Sequence, residues 1–403
     1  MNSNLDRLHP YPFEQLNALL ADVESTSNLE PIAWSVGEPK HVAPPALIAA
    51  LADPELIRRG FGTYPPTKGL PELRAAICRF LQRRFQLSAD LDPDTQVLPV
   101  TGTREALFSF AQAVLDAGQD SLTLMPNPFY QIYEGAALLA GSEPFYLDCN
   151  NANLMPDFSS VSADTWRRCR LVYLCSPGNP TGGLHTREEL KQLITLSDEF
   201  DFVIASDECY SEIYFEESAP PVGLLQVASE MGRTDYRNCI SFNSLSKRSN
   251  IPGVRSGYAA GDASVLQKYL LYRTYQAAAM PVHHQLLSAM GWEDETHVIE
   301  NRAIYRSKFK TVTGILNQVW DTVIPAAGFY LWPQTPVDDA AFAVRLIQHA
   351  NVKVLPGSFL SRDGGSGNPG QNRVRMALVA TEAECIEAAE RIVASWDRLS
   401  APL

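Results

Sequence analysis

The sequence predicts an α/β protein: a large three-layer α/β/α domain around a mostly parallel sheet, with a smaller α+β domain. Three observations carry this expectation. Short apolar runs alternate with helical runs through the middle of the chain, the pattern of βαβ units. One of them, RLVYLC (170–175), has the continuous apolar character of a strand covered on both faces. After about residue 260 the alternation stops, and a long helical stretch leads into short strands and a last helix.

In order, QVLPVT (96–101) reads as a strand, and REALFSFAQAVLDAG (104–118) as a helix capped by Thr103 and stopped at Gly118. SLTLM (121–125) is a strand and QIYEGAALLAG (131–141) a helix. After RLVYLC comes TREELKQLITLSDEF (186–200), an amphipathic helix with a Thr cap and an acidic first turn. FVIASD (202–207) and CISFNS (239–244) are further strands. A helical stretch over 263–320 is interrupted at Pro281. GFYLWP (328–333), VKVLP (352–356) and RVRMAL (373–378) supply strands, with helices near 338–350 and 382–399. GGSGNPG (364–370) reads by composition as a flexible loop next to RVRMAL, able to gate a site or to be a plain surface insertion.

Length and charge bound the function. At ~150 residues per domain, 403 residues suggest two or three domains. The net charge of −13 argues against non-specific nucleic-acid binding. No run of about 18 apolar residues suggests a membrane span, and MNSNLDRLHPYPFEQL lacks the basic and apolar regions of a signal peptide. The seven cysteines are odd in number, irregularly spaced and without CxxC, which suits a reducing, cytoplasmic setting and argues against zinc. His283–His284 read as ordinary helix residues, because no third metal ligand is in view.

Four segments could carry chemistry, and each has a plainer reading. In SFNSLSKRSNIPGVRSG (241–257), Lys247 and Arg255 sit among hydroxyls after a strand. That suits a phosphate and an amine nucleophile, or simply a solvated basic turn. In ASDECYSEIYF (205–215), Asp207 ends an apolar strand and Tyr210 follows three residues later; the carboxylate could meet a heterocyclic N–H or serve as a cap. CSPGNPTGG (175–183) offers the Asn179 amide, or an ordinary turn. VTGTREALFSF (100–110) presents the backbone N–H groups of Thr103 and Arg104 at a helix start, a phosphate seat or a plain βα turn. Each is weak alone; their joint order is specific.

Together with RVRMAL, these segments resemble the class I/II aminotransferases of the fold-type I pyridoxal-phosphate superfamily over essentially the whole chain. DRLHPYPFEQL, GEPKH, PNPFYQIYEGA, ASDECYSEIYF and SLSKRSNIPGVRSG are most similar to the bacterial N-succinyl-diaminopimelate aminotransferases of lysine and peptidoglycan synthesis. The resemblance implies pyridoxal 5′-phosphate as cofactor. It makes Lys247 the amine that bonds the cofactor and later shuttles a proton, and Asp207 the partner of the pyridine nitrogen. Asn179 and Tyr210 become donors to the phenolic oxygen, and Tyr130 the stacking ring. Thr103 and Arg104, through their backbone, with Ser244, Ser246 and Arg255, become the phosphate cradle. Tyr64, in TYPPTKGLPELR, would reach the phosphate of a neighbouring subunit, which implies a homodimer with shared sites. Arg375 would grip the substrate α-carboxylate, helped by the Gly37 backbone. Many relatives carry SGxx where this chain has VTGTR, so Arg104 could itself reach substrate.

The resemblance further implies a small domain built from both chain ends: residues 1–40 and 291–403 around a large domain of 41–290. The expected reaction passes an amino group between L-glutamate and the 6-oxo end of N-succinyl-2-amino-6-oxopimelate. Lys40, Lys68, Arg104 and Arg273 are candidate readers of the distal anionic groups. Other aminotransferase substrates (aspartate, aromatic, acetylornithine-like), a C–S β-lyase and a cofactor-sensing regulator are the competing readings. The regulator is disfavoured because the motif GEP already begins by residue 37.

Overall fold

The computed structural model describes residues 1–403 except Ser27, Asn150, Asn151, Ser366 and Leu403. The large sheet is built from β1 (Val97–Val100), β2 (Leu122–Asn127), β3 (Glu143–Asp148), β4 (Cys169–Cys175), β5 (Val203–Asp207), β6 (Cys239–Ser244) and β7 (Gly257–Gly261). Among the described residues these seven strands lie in the order β1-β7-β6-β5-β4-β2-β3. The five strands β6 to β3 run parallel, and β7 is antiparallel to both its neighbours. The sheet is therefore mixed but mostly parallel, as expected. Every residue of β4, β5 and β6 except Arg170 and Val203 is buried, consistent with cover on both faces.

Register decides what this sheet does. Cys175 on β4, Asp207 on β5 and Phe242 on β6 stand abreast, so three parallel strands end together. β7 runs the other way, and its first residue, Gly257, pairs with Ser244 and with Val100. The loops after β1, β4, β5 and β6, and the loop before β7, therefore all open at one edge. Open α/β sheets place their ligands at this edge.

A second sheet, antiparallel, joins β8 (Tyr330–Leu331), β9 (Leu355–Pro356) and β10 (Val374–Ala377) in the order β9-β10-β8. A short parallel pair ties Ile32–Ala33 to Val352–Lys353. One apolar cluster unites Ile32 and Trp34 with residues from Tyr305 to Leu399, so both chain ends share a core. Two other clusters fill the faces of the large sheet. The change from one core to the other falls between Trp292 and Tyr305.

Several boundaries differ from expectation. The helix after β1 spans Thr103–Val114; its cap is Gly102, at φ 87°, and not Thr103, and it ends before the Asp-Ala-Gly stretch rather than at Gly118. The 263–320 stretch is three helices, Ala263–Gln276, Val282–Glu293 and Thr296–Leu316, because the chain breaks at Asp294–Glu295 as well as near Pro281. The last helix stops at Ala394 and a short turn, Trp396–Leu399, follows. The loop expected at 364–370 includes Ser366, outside the described residues; around it, Gly364 and Gly367 exchange backbone hydrogen bonds and Gly370 N donates to Asn368 Oδ1. No helix among the described residues is long and apolar enough to cross a membrane.

Candidate active site

A cavity of about 520 Å³ opens at the shared strand edge, between the two cores. Its floor comes from the large sheet: Thr103, Arg104, Asn179, Asp207, Tyr210, Ser244, Ser246, Lys247 and Arg255, with Tyr130 from the loop after β2. The smaller sheet contributes Tyr330 and Arg375, and the N-terminal part of the chain contributes Tyr11, Pro12, Phe13 and Val36 to Glu38. All the residues assigned to cofactor or substrate from the sequence line it except Tyr64. That side chain is 100% exposed and does not line its own cavity.

Lys247 lies on the one-turn helix Leu245–Arg248 that follows β6, capped by Ser244, whose Oγ accepts from Ser246 N. Its ammonium donates to the Gly37 carbonyl at 2.5 Å and sits 5.3 Å from the Phe329 ring centroid. Burial lowers its pKa to about 8; Arg375 and Arg104 push the same way, against Cys209 and Glu38. The folded value lies below the ordinary 10.5, so the neutral amine is accessible near neutral pH. By linkage, the stability this group confers above pH 10.5 is lost as pH falls toward about 8. Uptake of pyridoxal phosphate by the cofactor-free protein, read from visible absorbance, is expected to quicken with pH and level off above about 8. Below that value the rate should rise about tenfold per pH unit. A pH-independent rate between 6 and 8 would remove this assignment of the amine.

Asp207 is buried at the end of β5. Tyr133 Oη donates to its Oδ2 at 2.8 Å and the Cys209 amide to its Oδ1 at 3.2 Å. Burial raises its pKa, while Cys209, Tyr133 and Lys247 pull it back down. A buried carboxylate with neutral donors on both oxygens still lacks a close countercharge, so it is suited to a cationic N–H. Tyr133 stacks 4.6 Å from Tyr173, whose hydroxyl donates to the Leu107 carbonyl, so the donor to Asp207 is held rigidly.

The phosphate end is shaped by backbone. The amide groups of the first turn of the 12-residue helix Thr103–Val114 have no partner within the helix, and its positive dipole end faces the cavity. Gly102 allows this approach: a Cβ there would stand 2.3 Å from Arg255 Nη2. Arg255 in turn donates to the Pro252 carbonyl at 2.9 Å. At the opposite end Arg375, 5% exposed, donates to Asn179 Oδ1 at 3.0 Å and to the Ser35 carbonyl at 2.9 Å, and its Nε has no hydrogen-bond partner among the described residues. Arg104 donates to Tyr130 Oη at 2.7 Å and Tyr11 Oη at 3.3 Å.

Four cations, Arg104, Lys247, Arg255 and Arg375, thus line one cavity, and among the described residues none has a carboxylate within ion-pair distance. The other candidates for anion binding go elsewhere. Arg273 is buried against Glu105 at 2.8 Å, Lys68 pairs with Asp94 at 3.1 Å, and Lys40 is exposed outside the cavity. His283 packs on Phe61, and His284 Nδ1 lies 3.1 Å from the Val254 carbonyl.

The donor set fits pyridoxal phosphate: a helix start with Arg255 for the phosphate, a buried carboxylate for the ring nitrogen, and a neutralisable amine between them. Sequence reasoning missed Tyr11, Glu38, Tyr133, Cys209 and Tyr330. Tyr133 and Cys209 carried a local signal, lying one helical turn after Tyr130 and two residues after Asp207. Tyr11 and Glu38 stand inside DRLHPYPFEQL and GEPKH, but neither they nor Tyr330 had a spacing that placed them at the site, because the tertiary fold brings them in.

Comparison with known proteins follows the same line. Residues 30–392 match the family Aminotransferase class I and II. The chain is 47% identical to an aminotransferase from Neisseria meningitidis Z2491, with TM-score 0.93 and coverage of 98% of this chain and 99% of that one. It is 33% identical to the aminotransferase AspB from Helicobacter pylori 26695, with TM-score 0.87 and coverage of 97% and 99%. Among curated sequences, the LL-diaminopimelate aminotransferase of Dehalococcoides mccartyi is 30% identical over 395 residues, covering 95% of this chain and 96% of that protein.

Proposed function

The chain belongs to the aminotransferase class I and II family, and from that premise we propose that it transaminates N-succinyl-LL-2,6-diaminopimelate with 2-oxoglutarate. Transamination with pyridoxal 5′-phosphate is the activity of the family. The substrate is the finer step, and the single observation that carries it is Arg104, a cavity cation that has no carboxylate partner among the described residues and is not needed for the amine, the phosphate or the α-carboxylate.

When bound, the cofactor ring supplies an electron sink for the charge left as the substrate Cα–H bond breaks. The protein does the rest. Arg375 holds the substrate α-carboxylate with its planar guanidinium, already oriented by Asn179 and Ser35. Lys247 Nζ, as the neutral amine that its lowered pKa makes accessible, takes the proton from the substrate Cα and holds it as the ammonium. Asp207 holds a proton at the ring nitrogen, and Asn179 and Tyr210 donate to the phenolic oxygen. Thr103 and Arg104 through their backbone amides, with Ser244, Ser246 and Arg255, would hold the phosphate, and Tyr130 would cover the ring. Tyr11, Pro12 and Phe13, with Leu355 and Leu360, wall off water.

Acylation removes the distal ammonium of diaminopimelate and leaves carboxylates there. Arg104, tied to Tyr11 and Tyr130 with its charge unmatched, is the group we assign to read them. A second reading, unacylated LL-diaminopimelate, is favoured by Glu38, a cavity carboxylate able to meet an ammonium. The name of the Dehalococcoides relative points to the same compound. The kcat/KM ratio of the two compounds decides. The succinylated one is expected to win, and Arg104→Ala to lower its kcat/KM by about 10- to 100-fold, the worth of one charged hydrogen bond. L-norleucine, with no distal charge, should be unaffected. Equal kcat/KM for the free and acylated compounds would refute the assignment.

A homodimer belongs to the same reading. Tyr64, at 100% exposure, would serve the neighbour's phosphate, and Val42, Phe61 and Tyr275 leave 80% or more of their surface to be covered. Light scattering should give twice the chain mass; a fully active monomer would contradict it.

A further inference from the structure

Tyr330 belongs to no motif, yet it touches three residues that the proposed chemistry uses. Its hydroxyl lies 3.0 Å from Tyr210 Oη, which has no other hydrogen-bond partner among the described residues. The Arg375 guanidinium lies over its ring, 4.6 Å from the centroid. Its hydroxyl also fills the space at Gly37, where a Cβ would come within 2.0 Å of Oη. The Gly37 carbonyl is the acceptor for Lys247. The ring is 3% exposed and borders the cavity.

Resting on the transamination reading, we infer that Tyr330 is a positioning residue with two separable roles: its hydroxyl directs the Tyr210 proton toward the cofactor, and its ring face fixes Arg375 for the substrate. The first role follows from counting protons. A phenol has one, so if Tyr210 donates to the ligand's phenolic oxygen, the 3.0 Å contact requires Tyr330 to be the donor to Tyr210. A hydroxyl that accepts one hydrogen bond while donating another is the stronger donor. The second role follows from the ring's negative face. It holds a cation in place without competing, as a carboxylate would, for the bidentate edge that substrate needs.

Two substitutions separate the roles. Tyr330→Phe keeps the ring and removes the hydroxyl. The weakened Tyr210 donor leaves charge on the phenolic oxygen less stabilised, so protons bind the loaded site more tightly. The pH midpoint of the visible absorbance should rise by on the order of half a unit, with KM for the amino donor unchanged. Tyr330→Leu removes the ring as well, and KM should then rise by roughly tenfold. An unmoved midpoint in Tyr330→Phe overturns the first role. A wild-type KM in Tyr330→Leu overturns the second, and a KM rise equal in both variants overturns their separation. Should Tyr330→Leu fail to fold, the Tyr330→Phe titration still decides the first role, and Tyr330→Trp, which keeps an aromatic face, decides the second by whether KM is preserved. Absence of visible cofactor absorbance in the unsubstituted protein would instead sink the transamination reading itself.

Discussion

Replacing Lys247 with alanine is expected to lower kcat by about 10⁴-fold or more, because one side chain supplies both a covalent amine and a positioned base. It is the only lysine lining the cavity among the described residues, so no neighbour can substitute. The protein should remain folded: among the described residues the Lys247 side chain makes one hydrogen bond, to the Gly37 carbonyl, and its charged form is already disfavoured by burial. Circular dichroism checks the fold, and absorbance checks the loss of the bound cofactor's visible band. Added small primary amines should restore part of the rate, and more of it as pH rises and they lose their proton. A Lys247→Ala protein with the visible band and full turnover would end this account.

Asp207→Asn is expected to have two opposite effects. Activity should fall by about 10²- to 10⁴-fold, since breaking a buried charge pair costs ~3–5 kcal/mol and here the pair forms with the cofactor. Stability of the cofactor-free protein should rise. The folded-state pKa of Asp207 is raised, chiefly by burial, so ionisation opposes folding. The sign is fixed: this penalty is absent below the ordinary carboxylate range and grows as pH rises through the folded value. Asparagine keeps an oxygen for the Tyr133 hydroxyl or the Cys209 amide without the charge. At pH 7 the cofactor-free variant should therefore melt higher, and the gain should shrink as pH drops toward 4. A lower melting temperature at pH 7 would mean that Asp207 is already compensated by the protein alone.

Much of this could be read from sequence, for local reasons. RLVYLC, FVIASD and CISFNS are covered on both faces, so they are apolar almost throughout, and the chemistry falls just past their ends. The two missed strands of the large sheet obey other constraints. EPFYLD (Glu143–Asp148) is an edge strand, mostly half-exposed, and tolerates a proline and acidic residues there. GYAAG (Gly257–Gly261) contains no β-branched residue, and a Cβ on Gly257 would meet the Asn243 carbonyl at 2.5 Å. Its strand character comes from its two neighbours, not from propensity. The site divides the same way. Asp207, Lys247 and Asn179 end or closely follow their strands, whereas Tyr11, Glu38 and Tyr330 arrive from distant segments whose local pattern does not place them at the site. The choice among Lys40, Lys68, Arg104 and Arg273 needed three dimensions, because it turned on which cations line the cavity and which already had partners.

An acidic chain binding anions is no contradiction. Arginines elsewhere, such as Arg84, Arg248, Arg273 and Arg302, are matched by carboxylates. Arg104, Arg255 and Arg375, which have no carboxylate partner among the described residues, meet in one cavity, where the burial of Arg375 strengthens its interactions.

The central claim, that this cavity transfers amino groups from substrates with distal anions, is tested most directly by a single half-reaction. The pyridoxal-phosphate-loaded protein is mixed with one amino acid at a time, and loss of its visible absorbance is followed. L-Glutamate and N-succinyl-LL-diaminopimelate should each convert the bound cofactor to its amino form and release a 2-oxo acid, while LL-diaminopimelate does so far more slowly. Conversion by neither of the first two compounds would contradict the account.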